Sequence, residues 1–122
     1  MQPVLKRLHS PDIDNLESYS PDQPDNFSFL LQAMVGSSDG EGEESFDLVV
    51  CTPQWMIERY KSDDVLLGLH KIIVLEYDYR RLRGFIEKFL MRCSGKNWDE
   101  VASKVSLLGH WEFDGHRPRP AG

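Results

Sequence analysis

At 122 residues, 40% hydrophobic and 28% charged, the chain has the size and composition of one soluble domain with a modest core. No apolar run nears the roughly 20 residues of a membrane span. The net charge of −6 is unevenly placed: residues 8–58 hold eleven acids and no lysine or arginine, so residues 1–58 sum to −9 and residues 59–122 to +3. An acidic half repels nucleic acid and anionic membrane and attracts basic protein surfaces, or serves only as a solvated face.

In chain order, "MQPVLKRLHSPD" has basic residues but no apolar core of signal-peptide length, so a cytoplasmic home is expected. "VLKRLH" predicts an edge strand ending at Ser10-Pro11, and residues 10–26, rich in proline and acid, predict a polar excursion with turns. "FSFLLQAMV" alternates, with Phe27, Phe29, Leu31, Ala33 and Val35 on one face; "SFDLVVC" alternates again through Phe46, Leu48 and Val50. The intervening "GSSDGEGEE" makes the pair a long antiparallel hairpin whose tip would be flexible and strongly negative. Thr52 reads as an N-cap and Pro53 as the first residue of a short helix with Trp55, Met56, Ile57 and Tyr60.

"LLGLHKIIVLEY", residues 66–77, predicts one strand, with both faces covered or with one inner and one partly exposed. Asp78 caps a second helix whose stripe is Tyr79, Leu82, Ile86, Phe89, Leu90 and Cys93, with Gly95 as its stop. Asn97 with Glu100 three residues on signals a third helix, buried through Trp98, Val101, Ala102, Val105 and Leu108. A short aromatic segment, "HWEF", precedes a Pro/Arg-rich tail. The expected organisation is a single α+β domain over residues 1–115, followed by a tail at 116–122 expected to be disordered. Its sheet would be mostly antiparallel, of about four strands, with three helices packed mainly on one face.

The chemistry-bearing residues are sparse. Cys51 directly precedes a helix N-terminus, which lowers a thiol pKa, yet it also ends an apolar strand and has no local base. A strand-to-helix corner explains it; a small Cys51-dependent enzyme is the alternative. With no export signal, Cys51 and Cys93 are expected to be reduced thiols. His110 and His116 bracket Glu112 and Asp114 without metal-ligand spacing, the acids of 38–45 lack the order of a calcium loop, and there is no phosphate loop or nucleophile elbow. No catalytic residue, metal or cofactor is expected. Trp55 and Trp111 sit beside polar neighbours at element boundaries, where an indole either anchors the core or faces a partner.

"FDLVVCTPQWMIERY", then "LLGLHKIIVLEYDYRRLRGFI" and "HWEFDG", in this order and spacing, resemble the immunity protein 8 family of bacterial polymorphic toxin and contact-dependent growth inhibition systems. The resemblance spans most of residues 9–115 and leaves "HRPRPAG" unmatched. It implies a small antitoxin that occludes a cognate toxin domain, with Cys51, Thr52, Pro53, Trp55, Trp111 and Glu112 as structural markers of the motif. Many such toxins are nucleases with basic clefts, which an acidic surface can occupy and find quickly. Asp39, Glu41, Glu43 and Glu44 at the hairpin tip, with Asp22 and Asp25, are therefore the expected partner-binding residues, without direct contact to nucleic acid or membrane. An acidic adaptor with a non-toxin partner is the rival reading.

Overall fold

A computed structural model describes residues 1–63 and 65–113; the expected tail at 116–122, with Asp114 and His116, lies outside the described residues. The fold is α+β. Its elements are β1 (Pro3–His9), β2 (Ser28–Ser37), β3 (Glu44–Cys51), α1 (Pro53–Arg59), β4 (Lys71–Ile73), α2 (Tyr79–Leu90), α3 (Trp98–Val105) and β5 (His110–Trp111).

The alternation of β2 and β3 builds the core. Their antiparallel register sets Leu31 beside Leu48, Ala33 beside Phe46 and Phe29 beside Val50, and all six side chains are buried. Leu82, Ile86 and Leu90 of α2 and Val101, Ala102 and Val105 of α3 cover that face. α1 adds no buried residue. The opposite face of the sheet takes the alternate positions, among them Leu30, Gln32, Met34, Asp47 and Val49, which stay half-buried.

The sheet has five strands rather than about four, in the order β1-β2-β3-β4, and it is mixed. β4 pairs parallel to the end of β3, Val49 beside Lys71 and Cys51 beside Ile73, while β5 pairs antiparallel to its beginning, Phe46 beside Trp111. Two short strands thus lie end to end along one edge of β3. His70, just before β4, has a φ of 56°, a left-handed conformation uncommon outside glycine. That turn sets where β4 begins, so the expected strand over 66–77 is reduced to 71–73. His70 Nε2–H donates to the Ser106 carbonyl at 2.7 Å, and its ring meets that of His110 edge-on with centroids 6.0 Å apart, which ties β4 to β5.

Helix starts follow the local signals. The Thr52, Asp78 and Asn97 side chains accept from the N–H groups of Trp55, Arg81 and Glu100. α2 ends at Leu90, ahead of the expected stop at Gly95, although Cys93 is buried as the stripe requires. The 10–26 excursion is fastened to the core by aromatic edges: Tyr19 packs on Phe27, Phe29 and Tyr77 with centroids 5.0–6.4 Å apart. Tyr77 also donates its hydroxyl to the Leu16 carbonyl. Burial, then the neighbouring Tyr79, Tyr19 and Asp78, pushes the Tyr77 phenol up to about 12. Among the described residues no helix is long and apolar enough to cross a membrane.

Candidate functional site

The six acids expected to meet a partner fall at two ends of the sheet. β2 has ten residues, and at about 3.4 Å per residue its ends stand roughly 30 Å apart. Asp39, Glu41, Glu43 and Glu44 lie at the end where β2 turns into β3; Asp22 and Asp25 lie at the other, ahead of Ser28. A standard interface of about 800 Å² per partner, centred on one end, does not reach the other.

At the hairpin end the loop is tied to β1. The register of β1 shifts between Leu5 and Arg7, and such a bulge re-aims side chains. Lys6 Nζ then donates to the Gly40 carbonyl at 2.6 Å, and Arg7 Nε to Glu43 Oε1 at 2.8 Å. Ser38 N–H donates to the Gln2 carbonyl at 3.0 Å. The loop crosses Gly36 so closely that a Cβ there would stand 2.0 Å from the Gly42 carbonyl oxygen, which is why this strand position is glycine. Successive residues of a strand point to opposite faces: Glu43 reaches out to Arg7, while Glu44 accepts the indole N–H of Trp98 beside the core. Glu43 and Glu44 thus hold the loop in place. Asp39 and Glu41 are the exposed pair. The Ser37 hydroxyl donates to Asp39 and, with a backbone bond, holds its carboxyl below the usual range.

At the other end one of the acids lines a depression that holds an aromatic. Asp22 and Asp25 are exposed, and Asp22 shares a shallow depression with Tyr19, Asn26, Phe27 and Trp55. Trp55 is half-buried, its ring edge-on to Tyr60 at 5.9 Å. Glu58, one turn further along α1, accepts from Asn26 Nδ2 at 2.9 Å and Gln54 Nε2 at 3.1 Å, which hold its carboxyl low. Asp22, Asp25 and Glu58 form no ion pair among the described residues. Neither Glu58 nor Trp98 carries a sequence signal that sets it apart. Glu58 joins the acidic rim through the cap that aims α1, and Trp98 serves Glu44 through a contact 54 residues distant.

Between these ends the motif residues form joints. Thr52 is fully buried; its Oγ1 accepts from Phe27 N at 3.2 Å and Trp55 N at 3.3 Å. Pro53 opens α1. Trp111 stacks on Phe46 with centroids 6.3 Å apart, and Glu112 Oε1 accepts from Ser45 N at 2.7 Å, closing the end of the domain onto β3. Cys51 and Cys93 are free, buried thiols. Burial pushes the Cys51 thiol up, against a smaller opposing pull from Lys71. At neutral pH it is therefore further from its thiolate than an ordinary cysteine. We expect alkylation of Cys51 in the folded protein to run at least about tenfold slower than that of a free thiol, and to be restored by denaturant. Mass-spectrometric labelling rates would decide; a rate at or above that of the free thiol would revive the enzyme reading. Among the described residues no cluster of three or more His, Cys, Asp or Glu could hold a metal ion.

A family model described as immunity protein 8 matches residues 3–116. No curated protein and no solved structure matches the chain.

Proposed function

We propose, because the chain belongs to the immunity protein 8 family, that it acts in the cytoplasm as an antitoxin, binding a basic cognate toxin domain and occluding it without chemistry of its own. The observation that supports a docking position best is the depression at the Trp55 end. There Asp22 lines a depression with a half-buried indole, Glu58 is bonded to Asn26 of the same lining, Asp25 is exposed next to it in sequence, and none of the three acids forms an ion pair among the described residues. Fixed negative charge around a large aromatic anchor suits a basic surface: the acids steer the encounter and the ring supplies contact area. A nuclease is the toxin class that fits, since a cleft built for phosphates is basic. Asp39 and Glu41, at the far end, act through the long-range field, and Glu43 and Glu44 by shaping their loop.

The test is co-expression with the toxic domain encoded beside this protein. Survival together with a complex that weakens as salt rises supports the reading. Survival with a salt-insensitive complex moves the contact to apolar residues. Neither survival nor complex favours an acidic adaptor with another partner.

A further inference from the structure

The β4 edge of the sheet is apolar and unpaired among the described residues. Val49 N–H donates to the His70 carbonyl and Val74 N–H to the Cys51 carbonyl, both at 2.9 Å. The alternation of a strand therefore turns the main-chain groups of His70, Ile72 and Val74 toward β3, and those of Lys71 and Ile73 away from it. These outward groups have no partner among the described residues. In β4 and the segments that lead into and out of it, Val65, Leu67 and Leu75 are 89%, 81% and 79% exposed, and Leu69 and Ile73 more than half. Leu75 borders a groove with Val74, Leu82 and the exposed Phe85 of α2.

Charge along this strip is close to balanced: Arg81 lies 3.7 Å from Asp78, Lys71 and Arg59 each sit over the Tyr60 ring, and an exposed Glu76 borders the groove. Isolated exposed leucines are ordinary, but a run of them flanking an unpaired strand edge, with Leu75 and Phe85 in one groove, marks an interface. A basic partner drawn by the acidic ends meets no net negative charge here, since Arg59, Lys71 and Arg81 are not outnumbered by Glu76 and Asp78, so the choice of a second copy over the toxin rests on the reading above.

We infer that this edge joins two copies of the chain, β4 against β4, antiparallel about a two-fold axis through Ile72. The register is self-complementary. Lys71 falls opposite Ile73 of the second copy and Ile73 opposite its Lys71, so no lysine opposes a lysine, and both outward residues satisfy their N–H and C=O groups. An isologous contact of this kind uses up the edge and closes, whereas a head-to-tail one would propagate. Interfaces of standard size bury about 800 Å² per partner, and the exposed side chains between Val65 and Phe85 supply much of that area.

The test is sedimentation velocity on the full chain from low to high micromolar concentration, with the expected result a monomer–dimer equilibrium. Ile73→Lys places a cation opposite Lys71 of the second copy and should raise the dimer Kd at least about tenfold with an unchanged melting curve. Leu75→Glu reads the same contact should the first variant fold poorly. Both should still bind toxin as the unaltered chain does. A monomer at every concentration overturns the inference, as does a dimer whose Kd neither variant moves. Loss of toxin binding with self-association intact overturns it too, by giving the strip to the toxin. Failure of the unaltered chain to protect cells, with the dimer present, overturns only the antitoxin reading.

Discussion

Thr52→Val is expected to destabilise the domain by about 2–4 kcal/mol, although valine fills the same space. The residue is fully buried, so the loss is polar throughout. Its hydroxyl oxygen is the acceptor for Phe27 N at the entry of β2 and for Trp55 N at the start of α1. Removing it strands one buried amide at about 1–3 kcal/mol and deletes a helix cap at about 0.5–2 kcal/mol. The melting temperature should fall by roughly 10 °C. Thr52→Ser keeps the oxygen and should cost less than about 1 kcal/mol. Urea unfolding of the two variants against the parent measures the difference. A valine variant within 1 kcal/mol of the serine one would mean that water reaches both amides. Because Thr52 also aims α1, the loss would reach Trp55 and Glu58, at the surface proposed to receive the toxin.

What the sequence makes legible is what local chemistry decides. Thr52, Asp78 and Asn97 each cap a helix through a side chain within three residues of the amide it serves, and the period of two in β2 and β3 names their buried faces in advance. Pairings set by distant residues are not legible. β5 is two residues long, too short to show any period, and exists because Phe46 and Asp47 leave an edge for it. The run 66–77 is apolar enough for a strand throughout, yet only Lys71–Ile73 find β3, since the rest of that edge belongs to β5 and His70 turns the chain. Hydropathy alone does not separate a buried leucine from Leu67 or Leu75 on an open rim. The acids show the same limit. Asp25 and Asp39 are close in sequence, but the strand between them sends them to opposite ends, and Glu43 and Glu44 turn from neighbouring positions to Arg7 and Trp98.

That separation makes the charge prediction directional. Asp22→Asn, Asp25→Asn and Glu58→Gln together should slow association with the toxin domain about 10–100-fold at low salt and flatten its dependence on ionic strength. The melting temperature should stay within about 2 °C, because none of the three forms an ion pair among the described residues and surface charges of this kind contribute little to stability. Asp39→Asn with Glu41→Gln should slow it only a few-fold at about 0.01 M salt, where the Debye length matches the separation of roughly 30 Å, and leave it unchanged at about 0.1 M, where the Debye length is near 10 Å. Stopped-flow association rates across a salt series read both variants on one axis. The reverse order would move the contact to the hairpin loop, where the Gly36 crossing and the Arg7–Glu43 pair already hold the backbone still. Equal small effects with no change in salt slope would leave the acids a solubilising role and turn the search to uncharged surface. The ranking matters because steering and contact are separable: a charge that only steers changes the rate of arrival, whereas one within the contact also slows departure when present. Dissociation rates of the same variants should therefore change for Asp22, Asp25 and Glu58 and stay constant for Asp39 and Glu41.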